Sequence, residues 1–233
     1  MTYYLINGSP RKNCNTSQLL QESLKGIKEC VNDADVEIIH LYDLDYKGCK
    51  SCFHCKKIDG KYYGQCPIKD DLRELLPKLW DAEGIIFGTP IYFSSITGEL
   101  RCLLERFFFA KLVYGGESLI KDKNINIGII YTMNAGGDGQ DTIREVFDDI
   151  IFNPLERSFK YFTDNFYSLK VYDTYQFKDY SKYENYLFDE KKKAERRREQ
   201  FPNDLKNAYN LGKQIVKKWL IWNYILHIVL QDF

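Results

Sequence analysis

The sequence has no excess of either charge sign, no long apolar run and no recognisable leader at its start. Lys plus Arg and Asp plus Glu each number 33, so the formal net charge is zero and gives no reason to expect a nucleic-acid or anionic-membrane partner. The apolar stretch WLIWNYILHIVL has only a dozen residues, whereas a membrane span needs about 20. The start MTYYLING lacks a basic region, an apolar core and a cleavage site, which predicts a protein that stays in the reducing cytoplasm.

Several common catalytic patterns are missing as well. The sequence contains no Ser–His–Asp order, no HExxH motif and no pattern of paired carboxylates. It also lacks internal repeats at solenoid periods and stretches of low complexity. Protein classes that depend on those features are therefore not indicated, and the chemistry has to be sought elsewhere in the chain.

Short apolar runs alternate with helical patterns along most of the chain. The run GIIFG is continuously apolar, which is typical of a central parallel strand covered on both faces. Strands are predicted at 3–6, 36–41, 84–88, 125–131 and 167–172, and helices over 70–80 with a kink at Pro77, from Thr97, and over 141–152 and 155–162 with a break at Pro154. This alternation predicts an α/β fold with a doubly wound, five-stranded parallel sheet in the flavodoxin-like order 2-1-3-4-5.

The length predicts one domain, residues 1–233, with a core over 1–175. A charged insertion over 176–200, which contains DEKKKAERRREQ, is predicted to be a solvated helix or loop with balanced charges. A terminal helix is predicted over 202–230. Its apolar end, 219–230, is expected to face a dimer partner or the core rather than a membrane surface.

The loop after the first predicted strand is rich in groups that bind anions. In GSPRKNCNTSQLL, a strand end is followed by hydroxyl, amide and guanidinium side chains and then by the start of a helix. The unpaired backbone N–H groups of a helix N-terminus favour an anion, and such side chains add further donors. The composition fits a phosphate site, although an ordinary turn and helix cap would use the same residue types.

Two more loops are predicted to reach the same edge of the sheet. TPIYFSSITGEL follows the third strand, and TMNAGG follows the fourth. The first of these combines backbone N–H groups, aromatic surfaces and small hydroxyls, which suits a planar heterocycle. An ordinary strand–helix loop with core aromatics is the alternative.

Four of the seven cysteines are clustered in the sequence. Cys49, Cys52 and Cys55 follow a C-x2-C-x2-C pattern, and Cys66 comes after a longer gap. Four thiolates could hold an iron–sulfur cluster. Thiols without metal and a zinc site remain alternatives, although structural zinc sites usually use two separated ligand pairs.

These motifs together resemble the NAD(P)H-dependent FMN reductase and iron–sulfur flavoprotein family. The resemblance spans roughly residues 3–220 and rests on the phosphate-type loop, the cysteine segment, GTPIYFSSITGELRCLLERFF and YTMN, in that order. It implies a non-covalent FMN with NAD(P)H as co-substrate, and it gives a [4Fe-4S] cluster on Cys49, Cys52, Cys55 and Cys66 as one alternative for the cysteine segment. The residues that it assigns to the FMN site are Ser9, Arg11, Asn15, Thr16 and Ser17 at the phosphate, Pro90, Ile91, Tyr92 and Phe93 at the isoalloxazine, and Asn134 in the third loop. Cys14 stands where the family usually has Gly.

The resemblance leads to three hypotheses about function. The first is an FMN-dependent oxidoreductase that passes electrons from NAD(P)H to a quinone, flavin, nitro or azo compound, with the chemistry on the flavin rather than on catalytic side chains. The second is an electron carrier with FMN and a cluster, which takes electrons from a ferredoxin-like donor. The third is a flavin-binding module without turnover. The resemblance also implies a homodimer.

Overall fold

A computed structural model describes residues 1–137 and 139–216 of the chain. A parallel sheet forms its centre, and five strands follow the order β2-β1-β3-β5-β6, the predicted 2-1-3-4-5. The sheet has a sixth strand that the sequence analysis did not predict, because β4 has only two residues and pairs antiparallel with the end of β3. The strands are β1 (Thr2–Asn7), β2 (Asp35–His40), β3 (Gly84–Tyr92), β4 (Ser95–Ile96), β5 (Asn126–Thr132) and β6 (Phe166–Val171).

Seven α-helices lie within the described residues, and most of them flank the sheet. They are α1 (Asn15–Cys30), α2 (Leu72–Asp81), α3 (Gly98–Lys111), α4 (Asp141–Phe147), α5 (Asn153–Phe162), α6 (Glu190–Glu199) and α7 (Phe201–Ile215). Apolar side chains of α1 and α7 form one buried cluster with the sheet, and those of α2, α3 and α5 form the other. The sheet is thus covered on both faces, which explains why its central strand β3 begins with an unbroken apolar run.

The structure corrects the prediction of a helix break at Pro154. A single π-helical turn, Asp148–Phe152, joins α4 to α5 without a loop. Pro154 lies in the first turn of α5, where the missing N–H of proline costs no helical hydrogen bond. Pro77 lies inside α2, as predicted.

Helices α1 and α7 approach each other closely through two glycines. A β-carbon added to Gly26 would lie 2.0 Å from the carbonyl oxygen of Tyr209, and one added to Gly212 would lie 2.0 Å from that of Ser23. The hydroxyl of Ser23 donates a hydrogen bond of 2.8 Å to the carbonyl of Ala208 in α7. The two backbones therefore touch, and only glycine fits at the contact.

The terminal helix begins where the sequence predicts it, with Pro202 in its first turn. Its described part ends at Ile215, so the rest of the predicted helix and the apolar segment 219–230 lie outside the described residues. None of the described helices has the length and apolar character that a membrane crossing requires.

Candidate functional site

The loops after β1, β3 and β5 meet at one edge of the sheet, as the sequence predicts. The backbone N–H of Gly8 donates to the carbonyl of Gly88 at 2.8 Å. The buried hydroxyl of Thr97, after β4, donates to the carbonyl of Gly8 at 2.8 Å. The hydroxyls of Thr16 and Thr132 lie 2.8 Å apart, which connects α1 to the end of β5. Polar contacts that the sequence analysis did not identify therefore hold the three loops together.

Helix α1 starts at this edge with no side chain capping its first turn. Asn15, Thr16 and Ser17 form that turn and are buried. Backbone N–H groups at the start of a helix have no partner within the helix, so an uncapped first turn is a site for an anion. Cys14 has an extended backbone, with φ −106° and ψ −168°. Any residue adopts that conformation, so the position does not require the glycine that the family usually has there.

Ser9 and Arg11 lie in the loop that leads to α1. Ser9 is buried, its N–H donates to Asn7 Oδ1 at 2.9 Å, and its hydroxyl accepts from the N–H of Arg11 at 3.2 Å. The Arg11 guanidinium is exposed and donates to the carbonyl of Gln176 at 2.8 Å. A guanidinium carries several other N–H donors, so this contact leaves Arg11 able to bind an anion. All five residues predicted for the phosphate thus lie in one loop and one helical turn.

The four residues predicted for the isoalloxazine ring lie partly in strand β3 and partly in the turn that follows it. Pro90 is buried and Ile91 half-buried near the end of β3, whereas Tyr92 is 41% exposed and Phe93 is fully exposed. Phe93 and Ser94 form the tight turn between β3 and β4, with φ of 47° and 56°. Left-handed backbone at two successive non-glycine residues is strained, and such strain is typical of ligand-binding turns.

Asn134 connects the third loop to a segment that sequence reasoning missed. Its Nδ2 donates to Gln176 Oε1, and its Oδ1 accepts from Lys193 Nζ at 2.6 Å. The Lys193 side chain is only 3% exposed and also forms an ion pair with Asp173. Burial lowers the pKa of the Lys193 ammonium, and the Asp173 carboxylate opposes that shift. The charged insertion is therefore not simply solvated, as the sequence had suggested, because its helix α6 contributes a buried cation to the site.

The four clustered cysteines line one small cavity. Cys49, Cys52, Cys55 and Cys66 share its wall with Arg106, and its volume of about 10 Å³ has room for about one water molecule. Cys49 Sγ accepts from the N–H of Ser51 at 3.4 Å, and Cys66 Sγ accepts from Arg106 Nε at 3.3 Å. Burial raises the pKa of the Cys55 thiol. Across residues 1–137 and 139–216, no three metal-ligating side chains are placed to hold a metal ion as the thiols now stand.

The chain resembles curated iron–sulfur flavoproteins over part of its length. It is 40% identical over 101 residues to one of Methanocaldococcus jannaschii, which covers 43% of this chain and 49% of the relative. It is 39% identical over 112 residues to one of Archaeoglobus fulgidus, which covers 48% of this chain and 51% of the relative. The matches thus span about half the length of these relatives.

Solved structures share the fold at low sequence identity. An NAD(P)H:quinone oxidoreductase from Methanothermobacter marburgensis has a TM-score of 0.65 at 14% identity, with 92% of this chain and 96% of that chain covered. An FMN-dependent NADH-azoreductase from Bacillus anthracis, in complex with FMN, has a TM-score of 0.62 at 14% identity, with 93% and 100% covered. Both confirm the predicted flavodoxin-like sheet.

The family model described as NADPH-dependent FMN reductase matches residues 1–153. That range contains β1 to β5, the uncapped start of α1, the β3–β4 turn and the cysteine segment. The match confirms the resemblance that the sequence motifs indicate, and the chain therefore belongs to the NADPH-dependent FMN reductase family.

Proposed function

We propose that this protein is an FMN-dependent oxidoreductase that takes a hydride from NADH or NADPH and reduces a small-molecule acceptor. The acceptor would be a quinone, a free flavin, or a nitro or azo compound. The observation that carries the proposal is the uncapped first turn of α1, which lies beside Arg11 and at the same sheet edge as the strained aromatic turn. One end of this edge suits a phosphate and the other a flat ring, and FMN has both.

The donor groups present fit the FMN phosphate. Ser9, Arg11, Thr16 and Ser17, together with the backbone of the first turn, offer hydroxyl, guanidinium and N–H donors with no carboxylate among them. A bound FMN would supply the hydride chemistry, and the residues of this chain would bind and orient it. The protein's own residues would bind the phosphate and place the ring beside Pro90–Phe93 and Asn134.

Flavin binding tests the phosphate assignment. Arg11→Ala should weaken FMN affinity by about tenfold, because charge-assisted hydrogen bonds to phosphate would be lost. Lys12→Ala is the matched control: it removes the same charge from the same loop, but Lys12 pairs with Asp43 at 2.6 Å. Its effect should stay below about twofold. Equal effects of the two substitutions, measured by fluorescence titration of FMN, would contradict the assignment.

Steady-state turnover tests the enzymatic part of the proposal. Purified protein loaded with FMN should oxidise NADH or NADPH continuously when a quinone or an azo dye is present. Omitting FMN provides the control. A single reduction of bound FMN without continued turnover would favour an electron carrier or a binding module instead.

A second candidate is an electron carrier that holds an iron–sulfur cluster in addition to FMN. Its support is the convergence of four thiols on one cavity, together with N–H donors to two of their sulfurs. The donor set is the one that such clusters use. The cavity itself would have to widen to take a cluster, since it has room for about one water molecule. Electrons would then come from a ferredoxin-like donor.

Iron analysis under exclusion of oxygen decides this candidate. Protein purified without oxygen should contain about four iron atoms and as many sulfides per chain, and Cys52→Ser should lose them. Cys30→Ser is the control, because Cys30 ends α1 and packs against the apolar cluster on the other face of the sheet. Iron-free protein from the same preparation would count against the cluster and leave the cysteines as thiols.

A further inference from the structure

The segment between β6 and α7, residues 172–200, reaches back to the start of α1 at three points. The carbonyl of Gln176 accepts from Arg11, and the carbonyl of Tyr175 accepts from Asn15 Nδ2 at 3.0 Å. Arg197 donates through Nη1 to Asn15 Oδ1 at 2.8 Å and through Nη2 to Gln18 Oε1 at 2.7 Å. Two of the five residues predicted for the phosphate, Arg11 and Asn15, are therefore held by a part of the chain that lies outside the matched family range.

Arg197 is held in place on several sides. Its guanidinium carbon lies 3.6 Å from the centroid of the Phe201 ring, a close cation–π contact at the start of α7. Arg197 belongs to α6, and Asp189 caps this helix by accepting from the backbone N–H groups of Lys191 and Lys192. Buried Lys193 fixes the same helix to Asn134 and Asp173. The guanidinium of Arg197 therefore reaches α1 from a helix that several contacts hold in place.

The contact with Asn15 has a consequence for the first turn of α1. Asn side chains tend to hydrogen-bond to backbone N–H groups close by in sequence, and at a helix start they would occupy the donors that an anion needs. Here both ends of the Asn15 carboxamide are engaged elsewhere, the oxygen by Arg197 and the nitrogen by Tyr175. The N-cap residue, Cys14, makes no side-chain hydrogen bond to the first turn either, so neither side chain occupies these N–H groups. Arg197 also brings a positive charge to the same helix end.

We propose that Arg197 is a positioning residue of the phosphate site, which makes the protein select phosphorylated flavin over flavin without phosphate. The inference rests on the proposed function, because it takes FMN as the ligand of α1. Arg197 keeps the Asn15 carboxamide off the first-turn N–H groups and favours the phosphate dianion there through its charge. Loss of Arg197 therefore weakens the binding of the phosphate and leaves the binding of the ring intact.

The test compares FMN with riboflavin, which has the same ring and no phosphate. Arg197→Met should weaken FMN binding by about tenfold and change riboflavin binding by less than about twofold. Arg198→Met is the matched control: the next residue on α6 carries the same charge, but its side chain is 70% exposed and its Nη2 donates to Glu199. It should leave the affinity for both flavins unchanged.

Each other outcome has a defined meaning. Equal weakening of FMN binding and riboflavin binding would show a merely structural role for Arg197 and overturn the inference. An unchanged FMN affinity would also overturn it. If Arg197→Met does not fold, Arg197→Lys keeps the charge and loses the fork, and should still lower the preference for FMN. The effect of Arg197→Lys should vanish in an Asn15→Ala background, because lysine keeps the charge and its effect comes from the lost contact with Asn15. A wild-type protein that binds riboflavin as tightly as FMN would instead refute the phosphate site itself.

Discussion

Arg106 and Asp70 form a bidentate ion pair, with Nη1–Oδ2 and Nη2–Oδ1 distances of 2.5 and 2.9 Å. The Arg106 side chain has no exposed surface. The same guanidinium donates to the carbonyl of Lys47 at 3.1 Å and to the sulfur of Cys66 at 3.3 Å. Because Arg106 belongs to α3 and its partners to the segment between β2 and α2, this one side chain fastens both ends of the cysteine segment to the helix.

Removing the negative charge of Asp70 should lower the free energy of unfolding substantially. Asp70→Asn leaves a buried guanidinium without its counter-charge, and we expect a loss of about 3–5 kcal/mol in the free energy of unfolding. Urea unfolding followed by circular dichroism measures it. Asp43→Asn is the control, because the Asp43 and Lys12 side chains are each 50% exposed and such a pair contributes less than about 1 kcal/mol. Similar losses in both variants would contradict the special role of the buried pair.

The contact between α1 and α7 predicts a second effect on stability. Gly26→Ala places a methyl group against the Tyr209 carbonyl, so the helices must separate, and we expect a loss of at least about 2 kcal/mol. Gly98→Ala offers a matched control, since a β-carbon added at that helical position meets no atom within 4 Å. Thermal unfolding of both variants checks the prediction, and an unchanged melting temperature for Gly26→Ala would refute the close contact.

Asp204 should make stability depend on pH. Burial raises the pKa of its carboxyl group, and the Gln200 amide and the charge of Arg196 oppose this shift. The folded state then holds the proton more tightly than the unfolded state, so stability falls as the pH rises from about 4, the unfolded value, through the raised folded value. Asp204→Asn removes this titration.

We therefore expect Asp204→Asn to gain stability relative to the wild type across the pH window above about 4, where the unfolded aspartate ionises before the folded one. Urea midpoints of both proteins at several pH values across this window measure the difference. A difference between the two proteins that stays constant, or that shrinks as the pH rises, would show that Asp204 does not titrate in this way.

The hydroxyl of Thr97 should contribute to the stability of the folded protein. Thr97→Val removes the donor to the Gly8 carbonyl in a buried place, and we expect a loss of about 1–3 kcal/mol. Thr97→Ser keeps the hydroxyl and should retain most of the stability. If Val and Ser behave alike in urea unfolding, the hydrogen bond does not hold the two loops together.

Sequence patterns predicted the sheet well because they report the burial of apolar side chains. The run Gly84–Gly88 identified β3, but the strand continues to Tyr92 because its next two residues pair with β5 and its last two pair with β4. Two residues of β4 are too few to leave a periodic pattern. Local signals thus found the strand and missed the pairing that extends it.

The charged insertion shows what composition alone fails to predict. Its composition predicted a solvated segment, yet Lys193 is buried and Arg197 contacts α1. Composition cannot reveal this, since the partners Asn134, Asp173 and Asn15 lie far away in the sequence. Charged residues are buried when specific partners surround them, and no periodicity marks where those partners are.

The glycine contact between α1 and α7 has a consequence for biosynthesis. Helix α1, which carries the first turn of the candidate anion site, is synthesised early, whereas α7, which packs beside it on the same face of the sheet, follows β6 and the whole charged insertion. A nascent chain that has emerged only through β6 has every loop of the site but neither Arg197 nor the helix against which α1 rests. The candidate anion site is therefore completed only late in the synthesis of the chain.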